Sequence, residues 1–191
     1  RETHCLVEVK SASASEVMGR VMALFAPPPD LSVSQWADAY RRLSPESSAS
    51  PGRWYTSKVP YLKEPMDMVG RPGVRRISMM TSAQVGKSSF VENVIGYLMH
   101  QDPCPILIVQ PTIDSVKMFS KERLAPMIRD CPVLRDKVKD PRSRDANNTL
   151  MSKQFPGGTL AMVGSNAPAG LASRPIGAVM CDEVDRFELS A

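Results

Sequence analysis

Lys87, Ser88, Asp182 and Glu183 are the residues of this chain whose types and spacing could do chemistry together. The stretch Thr81-Ser82-Ala83-Gln84-Val85-Gly86-Lys87-Ser88 follows an apolar run, Arg76-Ile77-Ser78-Met79-Met80. It fits the phosphate-loop pattern G-x-x-x-x-G-K-[ST] at the second Gly, the Lys and the hydroxyl, with Thr81 at the first Gly position. Gly86 lets the backbone approach a phosphate with no side chain in the way. The N–H groups opening the next helix, helped by its dipole, would hold a β-phosphate, with Ser82, Ala83, Gln84 and Val85 completing the loop. Lys87 would reach the β and γ oxygens of ATP, and the Ser88 hydroxyl would ligate Mg²⁺.

The second stretch, Ile176-Gly177-Ala178-Val179-Met180-Cys181, ends in Asp182-Glu183. A strand ending this way puts two carboxylates at the carboxyl edge of a sheet, where open α/β folds bind their ligands. Asp182 would hold Mg²⁺ through its water shell, and Glu183 would orient and polarise an attacking water. Each motif alone has a plainer explanation: a chance Gly-Lys-Ser after a strand, or an acidic turn beside Asp185 and Glu188. Together on one sheet they argue for ATP hydrolysis. Arg174, the one charge in the loop 164–175, is either an arginine finger facing the transferring phosphoryl group or a surface Arg at solvent or a helix end. Trp54 or Tyr61 either stacks on adenine or packs in the interior.

These residues need elements to position them. Three prolines at 27–29 stop any helix, so residues 1–30 read as an arm with a boundary near Asp30. Residues 31–75 form a lead-in segment, with Ser34 expected to cap a helix carrying Trp36, Ala39, Tyr40 and Leu43. From 76 onward strands alternate with helices: strands at 76–80, 105–109, 159–163 and 178–181, helices at 88–100 and from 114 or 115 to about 129. The 105–109 run is almost wholly apolar, as in a strand buried on both faces. Alternation of this kind predicts an α/β, P-loop NTPase-type parallel sheet flanked by helices. Residues 132–158 read as a polar surface excursion.

Composition narrows the rest. With 191 residues, 42% hydrophobic and 23% charged, there is room for one domain with a core, or a domain plus an arm. A net charge of +4 is compatible with nucleic acid and equally with a generic surface. Cys5, Cys104, Cys131 and Cys181 form no C-x-x-C pair, and His4 and His100 are isolated, so neither a zinc site nor a disulfide framework nor His-based catalysis is indicated. Cys181, inside an apolar strand, is expected to be a small buried hydrophobe, and a reducing setting fits best. No apolar run approaches the roughly 20 residues that cross a bilayer. The chain begins at Arg1 and stops shortly after Glu183, so it reads as part of a longer protein.

The linked motifs together resemble a known family. They are Pro51-Gly52-Arg53-Trp54, Pro60-Tyr61-Leu62-Lys63-Glu64-Pro65-Met66-Asp67, the 82–88 loop, Gln110-Pro111-Thr112, Arg123-Leu124-Ala125-Pro126-Met127, the 164–175 loop and Asp182-Glu183-Val184-Asp185. In this order they are similar to the large terminase subunit of lambda-type tailed bacteriophages and prophages, over about residues 34–187. The resemblance implies an ATP-driven motor that pumps double-stranded DNA into a procapsid. It would work with a small terminase subunit and the portal protein, as a homo-oligomeric ring in the cytoplasm of the bacterial host and transiently at the portal. The nuclease domain and coupling motif that follow in the family lie outside this chain. Ala172 stands where the family often has a second Arg, and no Arg lies within residues 82–85, so the resemblance points to Arg174 as a finger acting across a subunit interface. Two other readings are a helicase-like ATPase that remodels nucleic acid and a non-catalytic fragment acting in partner binding.

Overall fold

A computed structural model describes residues 13–15, 18, 30–138, 149–167 and 175–187. The chain divides into two compact units, Arg1–Asp30 and Leu31–Ala191. Most of the arm lies outside the described residues.

In the second unit, Ser32 accepts a hydrogen bond from the Gln35 N–H while the Gln35 side chain bonds back to the Ser32 N–H. This capping box starts helix α1, Val33–Tyr40. The cap is therefore Ser32, and Ser34 is buried inside the first turn. A short antiparallel pair, β1 (Arg42–Leu43) and β2 (Gly52–Arg53), and two 3₁₀ turns lead to helix α2, Lys63–Asp67. Helix α3, Lys87–His100, is buried from Val91 to Met99 and runs through the core. Gly96 permits this, because a Cβ there would lie 2.2 Å from the Trp36 ring of α1.

The main sheet contains β3 (Ile106–Gln110), β4 (Ser152–Phe155), β5 (Gly158–Gly164) and β6 (Ala178–Cys181), in the order β4-β5-β3-β6. Strands β5 and β6 run parallel to β3 on its two sides, and β4 is antiparallel to β5. Central β3 is buried along its whole length, which explains its unbroken apolar run. Beyond it come α4 (Ile113–Phe119, capped by Thr112), a π-helical turn (Ser120–Leu124), α5 (Ala125–Asp130) and α6 (Pro132–Arg135). Alternating residues Ile106, Ile108, Leu160 and Met162 join the main core with the helices, and Leu107, Val109, Ala161 and Val163 form a smaller cluster. No described helix is long and apolar enough to cross a membrane.

Besides the cap, Leu43 lies in β1 rather than on α1, which ends at Tyr40, and three further expectations need correction. Residues 76–80 are not a strand: they have no ladder partner among the described residues, and Ile77 is 36% and Met80 101% exposed. An apolar run supplies propensity, but a strand exists only where a neighbouring backbone takes up its N–H and C=O groups. Among the described residues β6 is the edge of the sheet, and 76–80 does not join it. For the same reason Cys181, on that open edge, is exposed. Finally, the supposed excursion 132–158 holds α6 and β4, the latter returning through a Pro156-Gly157 turn in which Gly157 has φ +90°.

Candidate nucleotide site

Helix α3 opens at Gly86, whose φ of +84° suits glycine, and no side chain caps its first turn. The opening N–H groups and the positive dipole end are thus left for an anion. Leu62 packs behind the loop, 3.3 Å from where a Gly86 Cβ would sit. Among the described residues only two non-glycines adopt left-handed backbone, Gln84 at φ +63° and Glu183 at φ +53°. Both flank the same site. Such conformations cost about 1–3 kcal/mol each and persist where the surroundings hold them.

The parallel pairing of β6 with β3 carries Asp182 to the sheet edge facing this loop. Lys87 Nζ lies 3.2 Å from Asp182 Oδ1. Asp182 is only 8% exposed, and its Oδ2 accepts a hydrogen bond from Gln110 Nε2 at 3.3 Å. Its Oδ1 accepts no hydrogen bond, so the Lys87 contact is an ion pair without hydrogen-bond alignment. Buried carboxylate lone pairs left open in this way, with Ser88 lining the same cavity, suit a hard cation that keeps most of its ligands as water and phosphate oxygen. The residues present therefore fit Mg²⁺. No group of three or more His, Cys, Asp or Glu side chains that could hold a metal by themselves occurs among the described residues.

A cavity of about 270 Å³ opens beside Ser88 and Asp182, with Gln110 and Glu183 also in its lining. Glu122, Arg123 and Arg186 add charge to its walls. Arg186 Nη1 donates to Glu183 Oε2 at 2.8 Å, and this bond pushes the Arg186 pKa up. Behind the site, Arg41 pairs with Glu92 and donates through Nε to Asn93 Oδ1 at 3.2 Å, anchoring α3 in the interior. Burial pushes the Glu92 carboxyl up, against the pull of Arg41 and Arg123.

The structure thus brings Gly86, Lys87, Ser88, Asp182 and Glu183 to one edge, with Ser82, Ala83, Gln84 and Val85 on the loop before α3. Trp54 sits elsewhere: it is 6% exposed, belongs to the core and donates its indole N–H to Thr56 Oγ1 at 3.0 Å. Of its two sequence readings, packing describes its surroundings. Tyr61, beside Leu62, is 56% exposed. Arg174 and Ala172 lie outside the described residues. Sequence reasoning gave no role to Gln110, Arg123 or Arg186. The signal for Gln110 was a polar residue closing an otherwise apolar strand.

A mostly parallel sheet, flanking helices and a phosphate-type loop opening α3 define the class of mixed α/β P-loop ATPase domains. Within that class the family described as "Phage terminase large subunit gpA, ATPase domain" matches residues 48–191, and the chain belongs to it. It is 28% identical over 180 residues to the terminase large subunit of Enterobacteria phage P21, covering 94% of this chain and 28% of that protein. It is 30% identical over 173 residues to the terminase large subunit of Escherichia phage lambda, covering 90% of this chain and 26% of that protein. The chain spans roughly a quarter of the length of these relatives. No solved structure gives a significant match to it.

Proposed function

We propose that this chain is the ATP-hydrolysing part of a terminase large subunit, and that hydrolysis drives translocation of double-stranded DNA into a procapsid. The observation that carries the reading is the 3.2 Å contact between Lys87 Nζ and Asp182 Oδ1, which joins two motifs far apart in sequence beside a cavity lined by Ser88 and Asp182. In this reading the N–H groups opening α3 bind the β-phosphate and Lys87 turns from Asp182 to the β and γ oxygens. Ser88 and Asp182 hold Mg²⁺, and Gln110 keeps the Asp182 carboxylate oriented. When bound, the metal neutralises charge on the phosphate oxygens. Glu183 orients the attacking water and accepts its proton. Arg174 remains a proposed finger from a neighbouring subunit of a homo-oligomeric ring. The small terminase subunit and the portal protein are the proposed partners, in the host cytoplasm and at the procapsid.

The test compares wild type, Lys87→Ala and Glu183→Gln in steady-state ATPase and equilibrium nucleotide-binding assays. Glu183→Gln is expected to lower kcat by about 10²–10⁴-fold, the usual span for a general base, while still binding ATP. Lys87→Ala is expected to lose binding as well. Equal turnover in all three chains would sink the reading.

A further inference from the structure

Two arginines of the described residues line the cavity beside Ser88, and neither has a part in the chemistry above. Arg123, from the π-helical turn, is half-buried and committed, since its Nη1 donates to the Ser47 carbonyl at 2.9 Å. Arg186 is differently held. Its side chain is 67% exposed, and its partner among the described residues is Glu183, at 2.8 Å. The reason is local geometry. Glu183 is the N-cap of the 3₁₀ turn Val184–Arg186, and in such a turn side chains three apart eclipse one another. The left-handed backbone of Glu183 starts that turn, and both Glu183 and Arg186 line the cavity.

The partner is the carboxylate assigned to the attacking water. While the pair lasts, Glu183 Oε2 is occupied by Arg186. An exposed ion pair of this kind is weak and easily exchanged. A phosphate group entering the cavity offers the guanidinium fork a more highly charged acceptor with paired oxygens.

We propose that Arg186 is a catalytic residue acting within its own subunit: as ATP binds, its guanidinium leaves Glu183 for the γ-phosphoryl oxygens. One movement then supplies positive charge to the transferring group and frees Glu183 for the water. This rests on the ATPase reading of the same site. In the step itself, the water oxygen bonds to the γ-phosphorus as the bond from that phosphorus to the β–γ bridging oxygen breaks. The electron pair of the broken bond stays on ADP. The proton of the water passes to Glu183 and from there to the released phosphate. Arg186 exchanges no proton and acts by charge and hydrogen bonding.

The experiment measures ATPase rate, ADP affinity and affinity for a non-hydrolysable ATP analogue in wild type, Arg186→Ala and Arg186→Lys. Arg186→Ala is expected to lose about 10³-fold or more in rate, within the span of arginine fingers. It should bind the ATP analogue more weakly and ADP as wild type does. Arg186→Lys should recover part of the rate, keeping the charge and losing the fork. A purely structural ion pair would not separate the two nucleotides, so equal affinities for ADP and for the analogue in wild type and Arg186→Ala overturn the proposal. Mixing Arg186→Ala with Glu183→Gln chains distinguishes subunits: restored turnover would mean action across an interface and would also overturn it. If Lys87→Ala and Glu183→Gln hydrolyse ATP like wild type, the ATPase reading falls. If those two are inactive while Arg186→Ala turns over normally, the arginine proposal falls alone. Should wild type show no turnover in isolation, the split between ADP and analogue affinities decides. A chain that binds neither nucleotide sinks both readings.

Discussion

Single residues carry the proposed nucleotide site, and their backbone and pairing set them apart. Gln84 and Glu183 are the two described non-glycines with left-handed backbone, one in the loop before α3 and the other just after β6. Asp182 is buried with one oxygen held by Gln110 and the other facing Lys87 without hydrogen-bond alignment. Away from the site, Asp67 shows how one carboxylate stitches two helices. It accepts a 2.7 Å bond from the Ser32 hydroxyl at the start of α1 and a 2.9 Å bond from Lys63 one turn earlier in α2. Burial pushes its pKa up, but the hydrogen bonds from Ser34, Ser32 and Lys63 outweigh this and hold it below the usual carboxylate value. The folded chain therefore binds fewer protons at this group than the unfolded chain. Its stabilisation is complete above the unfolded Asp pKa of about 3.9 and is lost as pH falls through the lower folded value. Asp67→Asn is expected to flatten that acid limb, checked by unfolding midpoints measured from neutral pH down to about 3.

Elements set how those residues are presented. Helix α3 must pass through the core to aim its first turn at the sheet edge, and α1 lies against it at Gly96. Ala is ordinarily the better helix former by about 1 kcal/mol. Here a Cβ would lie 2.2 Å from Trp36 Cη2 and 2.7 Å from Cζ3 of the same ring. Overpacking of this kind typically costs about 1–3 kcal/mol, so Gly96→Ala is expected to destabilise despite its helix propensity. A lower denaturant midpoint with an unchanged slope would be the reading. The same element explains the reach of the interior: Arg41, Glu92 and Asn93 tie α3 to the chain after α1, and Arg123 extends toward the cavity from the π-helical turn. A π turn within a helix is often a mark of a functional site.

At the scale of the whole molecule, the sheet of the described residues ends in two edge strands, β4 on one side and β6 on the other. Strand β4 pairs antiparallel with β5, and β6 is the last strand on the other side among the described residues, with Val179 57% exposed. The segment 76–80 leads into the phosphate loop with no ladder partner among the described residues. Hydrogen exchange should report this directly. Amides of 77–80 are expected to exchange nearly unprotected and those of 106–110 to be among the slowest, because protection follows buried, hydrogen-bonded backbone. Adding MgATP should slow exchange at 84–90 specifically. Strong protection of 77–80 without ligand would contradict the open edge.

Much of this arrangement was legible in the residues themselves. The unbroken apolar run at 106–109 marked a central parallel strand, Gly-Lys-Ser opened a helix, and Asp182-Glu183 closed a strand. Each is written in local chemistry: β propensity, the conformational freedom of Gly86, and a change from apolar to acidic residues. The capping box at Ser32 and Gln35 and the Pro156-Gly157 hairpin were also local signals, though weaker than their neighbours. Other features depended on partners that no local pattern contains. Whether 76–80 is a strand depends on a neighbouring backbone, and whether Trp54 stacks or packs depends on what surrounds it. Gln110, Arg123 and Arg186 come together only when β3, the π-helical turn and the chain after β6 converge on one cavity. By itself the sequence determined which residues could bind a phosphate and carry out hydrolysis. Only the tertiary structure decided which of them meet, because a distance such as the 3.2 Å between Lys87 and Asp182 is set by strand register and helix packing.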